Sequence, residues 1–219
     1  MMGKIDNVII EAITKRIVNE VKYYHGTPDR TAADNISSNG LGNSSSLKPN
    51  GGDSNGFESA PNRQYLTKSV GNATRYATMM NGDDAQEDGY VLEFDVDDDV
   101  ELGVDEDEIG SIIYKYLNGN GQLPFRKSLL SKLTQQELRQ IGNGEFSGYA
   151  ACKKLIDSLT DEEIKQTLSV CNNATVSKHI KPTACHSVRR PSQDEKTKLF
   201  KAKDFQPYDE YFTRNSKTI

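Results

Sequence analysis

Tyr23-Tyr24-His25-Gly26-Thr27, then Gly40-Leu41, then Tyr65-Leu66-Thr67 with Ala73 and Tyr76-Ala77, is the succession of residues that decides how this chain folds. Val21 to Thr27 is rich in β-branched and aromatic residues and reads as a strand, after which Pro28 and Asp29 turn the chain. Thr31 to Ser38 reads as a short helix carrying Ala32, Ala33 and Ile36, with Asn39-Gly40 as its left-handed stop. Arg63 to Thr67 repeats the strand and Val70 to Met80 the helix, with Ala73, Tyr76, Ala77 and Met80 at helical spacing. Two strand–helix units in tandem bring His25 and Gly26 to a strand end. A backbone without a β-carbon there admits a planar amide, and the imidazole reaches a hydroxyl. Rings at Tyr65 and Tyr76 offer two faces to a flat, cationic group.

At these positions the chain resembles the ADP-ribosyltransferase superfamily, in the His-Tyr-Glu branch that includes diphtheria toxin, the poly(ADP-ribose) polymerases and the DarT-like DNA-modifying toxins. In the family a His-Gly pair, matched by His25 and Gly26, binds a ribose of NAD and pairs with the nicotinamide amide. Tyr65 matches the tyrosine of the second strand, and Tyr76 the tyrosine that stacks on nicotinamide. Ala73 stands where polymerases often carry serine, and Thr27 completes the NAD-binding set. The resemblance implies an α+β fold, a split antiparallel β-sheet core, and catalytic roles for His25 and Tyr65.

The family's third motif is a glutamate at the start of a late strand, which holds a ribose hydroxyl and stabilises an oxocarbenium-like transition state. Glu195 precedes the strand-like run Thr197 to Ala202, and Glu210 lies in Asp209-Glu210-Tyr211-Phe212; these two rank nearly equal. Glu145, in Gly144-Glu145-Phe146, ranks behind them because helical patterns follow it.

The remaining chain is read as parts of one domain over residues 1–219. Ile5, Val8, Ile9, Ala12, Ile13 and Ile17 make residues 1–20 an amphipathic helix rather than a secretion signal, since Glu11, Lys15 and Arg16 interrupt the segment. Asn43 to Asn62 is dominated by Ser, Gly, Asn and Pro and reads as a loop, in the family a cofactor lid. Tyr90 to Asp95 is a strand. The acidic residues that follow, through Asp105-Glu106-Asp107-Glu108, read as a solvated face; Val100 occupies the glycine position of a calcium loop. Residues 105–173 are helical in pattern, with Thr160 and Glu163 as a capping box, and read as an insertion. Thr175 to Thr213 returns to short strands and is basic, with Lys178, Lys181, Arg189, Arg190, Lys196, Lys198, Lys201 and Lys203.

A net charge of −5 against that basic block makes the chain polarised, and the block suits a phosphate backbone or the pyrophosphate of NAD. Cys152, Cys171 and Cys185 are an odd count without paired spacing, which favours free thiols in a reducing cytoplasm. The spacing of Cys171, His179, Cys185 and His186 matches no common zinc site, so no metal is expected. A mean hydropathy of −0.70 and the lack of a long apolar run argue against a membrane span.

The resemblance therefore implies a mono-ADP-ribosyltransferase that uses NAD as substrate and modifies a macromolecular target, nucleic acid or protein. Enzymes of this size and kind are typically cytoplasmic bacterial or phage toxins and effectors, including toxin–antitoxin and phage-defence systems with an inhibitor protein as partner. RNA 2′-phosphotransferases share the Tyr-His-Gly-Thr opening, but their second strand carries Arg-His where this chain has Arg63-Gln64-Tyr65. A module that keeps the NAD-binding fold without transfer is the other alternative.

Overall fold

Side-chain caps start several helices of the computed structural model, which describes residues 21–41, 64–79, 88–96, 100–177, 179–202 and 204–219. In chain order the elements are β1 (Lys22–Thr27), α1 (Arg30–Asn39), β2 (Gln64–Thr67), α2 (Val70–Met79), β3 (Gly89–Asp95), β4 (Leu102–Val104) and α3 (Glu106–Leu117). After a 3-10 turn at Lys127–Lys132 come α4 (Gln135–Gly142), α5 (Phe146–Asp157), α6 (Asp161–Val170), β5 (Asn173–Val176) and β6 (Ala184–Val188). The chain continues with α7 (Gln193–Phe200), α8 (Gln206–Asn215) and β7 (Ser216–Thr218). The fold is α+β, and its paired strands run antiparallel. The amphipathic segment at residues 1–20 and the loop at 43–62 lie outside the described residues.

The described residues cluster into two compact units, one drawn from 1–41, 68–100 and 180–219, the other from 42–67 and 101–179. In the first unit β1, β3, β6 and β7 pair in that order. Val91, Leu92 and Phe94 of β3 are fully buried, as expected of a strand covered on both faces. Asp29 caps α1 by accepting hydrogen bonds from the Thr31 and Ala32 amides at 2.7 and 3.4 Å. Gly40 ends that helix with φ 86°, and Leu41 then exchanges two 2.7 Å backbone hydrogen bonds with Ile180.

Helix α2 lies against β1 and β3 at contact distance. A β-carbon on Gly26 would come within 1.9 Å of the Ala73 carbonyl oxygen, and one on Gly89 within 2.1 Å of the Ala77 carbonyl oxygen. Only glycine at both strand positions permits this approach. Asp209, from α8, accepts a 2.5 Å hydrogen bond from the Gly71 amide in the first turn of α2, a helix that carries no acidic residue of its own there. Ala73, Ala77, Val91, Val188, Leu199, Tyr208 and Tyr211 form the buried cluster beneath these helices.

In the second unit β5 pairs with β4 on one side and β2 on the other. Val104, Ala174 and Leu66 stand in one row across these strands, at most 2% exposed. Ile109, Ile113, Ile141, Leu155 and Ile156 complete a core under the helices. Capping boxes start α4 at Thr134 and α6 at Thr160, the second of them the box that the sequence predicts.

Two expectations need correction. The strand-like run Thr197 to Ala202 falls largely in helix α7, and Asp209-Glu210-Tyr211-Phe212 lies within α8, so the block from Thr175 to Thr213 holds two strands followed by two helices. Ser192 and Glu195 make a capping box, and Pro207 sits in the first turn of α8; both are helix-start signals that override the strand-like composition. The acidic run is also not wholly solvated, because Asp105 and Glu106 are 5% and 2% exposed.

Candidate functional site

Side chains alternate along β1, so His25 and Gly26 address opposite faces of the first unit's sheet. Gly26 faces α2. His25 stands in a row with Leu92 and Cys185, and the Cys185 thiol interacts with Ser37 of α1, which assigns His25 to the α1 face. The position that lacks a β-carbon is therefore occupied from the α2 side by the Ala73 backbone. Thr27, 4% exposed, accepts a hydrogen bond from the Asp29 amide at 3.3 Å and so shapes the turn after the strand.

Ala73 and Ala77 are buried, whereas Tyr76 between them is 49% exposed. The helix is thus fixed by its small residues and presents Tyr76 half exposed. Tyr65 belongs to the second unit, where its hydroxyl donates to Glu106 Oε1 at 2.7 Å.

The three glutamates named from sequence have distinct surroundings. Glu195 is on α7, where its carboxylate accepts from the Ser192 amide and hydroxyl and from both terminal nitrogens of Arg189, at 2.7 to 3.1 Å. Arg189 first, and then Ser192, hold its carboxyl down at about 2. Glu210 is exposed on α8, 3.3 Å from Arg214 one helical turn on. Glu145 precedes α5 and accepts from Asn143 at 2.9 Å. The late strands β5, β6 and β7 contain no glutamate.

A cluster around Glu93 escaped the sequence reading, in which His186 figured only as a candidate zinc ligand. Glu93 of β3, opposite Tyr24 in the register, forms an ion pair with Lys22 and lies 3.7 Å from His186 Nε2. His186 Nδ1 meets the Thr218 hydroxyl at 3.2 Å, and its ring packs edge-on to Phe212. Burial first, then the Glu93 carboxylate, push the Tyr24 hydroxyl above its ordinary range. This cluster shares the α2 face with Gly26, by register. The advance signal was Glu93 itself, a charged residue between the apolar Leu92 and Phe94.

Among the described residues no three His, Cys, Asp or Glu side chains converge as a metal site would require, and no helix is long and apolar enough to cross a membrane. Compared with known proteins, the chain matches no family model, no curated protein and no solved structure.

Proposed function

We propose that this chain binds NAD beside β1 and α2 of the first unit and transfers its ADP-ribose, as a single unit, to a macromolecular acceptor. The observation that carries this reading is the seating of α2 through Ala73 and Ala77 on Gly26 and Gly89, with Tyr76 left half exposed on the seated helix. The nicotinamide ring stacks on Tyr76 and its amide pairs with peptide groups at Gly26, while NAD passes the end of β1 so that His25, on the α1 face, binds a ribose hydroxyl. Departure of nicotinamide leaves a cationic ribose that a carboxylate stabilises until the acceptor nucleophile bonds to C1′. We assign that role to Glu210, exposed on α8, rather than to Glu195, because the Glu195 carboxylate already caps α7 and binds Arg189.

A second reading, NAD binding without transfer, is favoured by the absence of any glutamate from β5, β6 and β7. One experiment separates the two. The protein and its His25→Ala, Glu195→Gln and Glu210→Gln variants are incubated with labelled NAD and a bacterial lysate. Released nicotinamide and label sensitive to protease, RNase or DNase are then measured. Label that survives in Glu195→Gln and disappears in His25→Ala and Glu210→Gln supports the transfer assignment. Saturable NAD binding with no released nicotinamide supports the second reading, and failure to bind NAD at all removes both.

A further inference from the structure

The second unit contains a cavity of about 180 Å³ between α3 and the turn that joins α4 to α5. Glu106, Asp107 and Tyr114 line it from α3, and Ile141, Glu145 and Cys152 from the other side. Glu106 is 2% exposed and is therefore the more buried of these two lining carboxylates, whereas Asp107 is exposed. Tyr65 holds Glu106 through the 2.7 Å hydrogen bond to Oε1.

Three features define what fits. The lining supplies three carboxylates and no basic side chain, which selects positive charge. The negative field reaches the cavity wall: burial first, then Asp107 and Glu106, push the Cys152 thiol up to about 12. The carboxylates do not converge on a point with a third ligand, as a metal ion would need, and Ile141, Cys152 and the Tyr114 ring add apolar surface. A cavity of roughly 150 Å³ accommodates a benzene-sized body, so the space suits a charged head with a short apolar stem.

We infer that this cavity binds an organic cation, a guanidinium or ammonium group on a short apolar stem, with Glu106 as its buried counter-ion. The same chemistry comes from a free small amine or from an arginine side chain in a peptide. The inference stands apart from the NAD reading, because its test contains no NAD.

The test is calorimetric titration of the full chain with agmatine, with a capped arginine amide, and with N-butylurea as a neutral body of similar shape. Agmatine is expected to bind saturably and N-butylurea not to bind. Binding of the capped arginine as well identifies a peptide source, and binding of agmatine alone a free amine. Glu106→Gln is expected to weaken agmatine by roughly tenfold or more. Because that variant alters a buried residue, Asp107→Asn at an exposed position and Gly110→Val, which fills space beside Cys152 Sγ, provide two further readouts. Asp107→Asn is expected to weaken agmatine severalfold and Gly110→Val to abolish binding. Equal binding of agmatine and N-butylurea, no saturable binding at millimolar agmatine, or unchanged affinity in both of these last variants overturns the inference.

Discussion

The carbonyl oxygen of Ala73 stands 1.9 Å from where a β-carbon on Gly26 would be. Even the smallest side chain at Gly26 must push α2 away from β1, and overpacking of this kind is destabilising by about 1–3 kcal/mol. Gly26→Ala is therefore expected to lower the urea midpoint, and Gly89→Ala to do the same through Ala77. Because one helix must shift in both cases, the double variant should lose less than the sum. A Gly26→Ala chain that melts like the parent would refute this account of the seating.

Tyr76 allows binding and stability to be separated. Tyr76 is 49% exposed, so Tyr76→Ala should lower stability by about 2 kcal/mol or less, roughly half of what a fully buried aromatic ring contributes. A lost stacking contact of about 1 kcal/mol would nevertheless weaken NAD severalfold. Equilibrium binding of NAD to the two proteins, alongside their thermal melts, measures both quantities.

Tyr65→Phe removes the hydroxyl that donates to a 2%-exposed carboxylate. Loss of a donor to a buried acceptor is destabilising by about 1–3 kcal/mol. Combining Tyr65→Phe with Glu106→Gln in a double-mutant cycle should reveal a coupling between the two residues. Strict additivity in chemical denaturation would mean that the hydrogen bond contributes nothing to stability.

Burial first, then Asp107, raise the Asp105 carboxyl to about 7. The folded chain then keeps a proton that the unfolded chain releases near the ordinary value of 3.8. Stability is thus highest below that value and declines as pH rises to about 7, by roughly 4 kcal/mol if this group acts alone. Glu137, Glu163 and Glu195 have the opposite sign: each is held down to about 2 by a Lys or Arg partner and by a helix cap, so their contribution is lost as pH falls from 4.5 toward 2. Denaturation across pH should show a maximum near pH 4 to 5, and Asp105→Asn, which retains an oxygen to cap α3, should flatten the decline toward neutral pH.

Local chemistry made much of the fold legible. The strand–helix pairs β1–α1 and β2–α2, strand β3 and the helices after residue 105 follow from side-chain periodicity, from Gly40, and from capping residues such as Thr160. Glu195 was misplaced although Ser192 stands three residues before it as a helix signal; the expectation of a late glutamate on a strand outweighed that signal. Glu106 could not be read as buried, because an acidic run is ordinarily solvated and its Tyr65 partner is far away in sequence. The opposite facing of His25 and Gly26 follows from alternation alone, but which helix covers each face depended on long-range packing.

The carboxylate that closes the first turn of α2 belongs to Asp209, 138 residues further along the chain than Gly71. A ribosome adds residues at about 5–20 per second, so on the order of ten seconds separates the emergence of this helix from that of its cap. Throughout that interval the nascent segment bearing Ala73 and Tyr76 must carry an open amino end. The growing polypeptide can therefore complete this segment only after Asp209 has emerged, which delays any ligand-binding competence that depends on it until every element through α8 has been made.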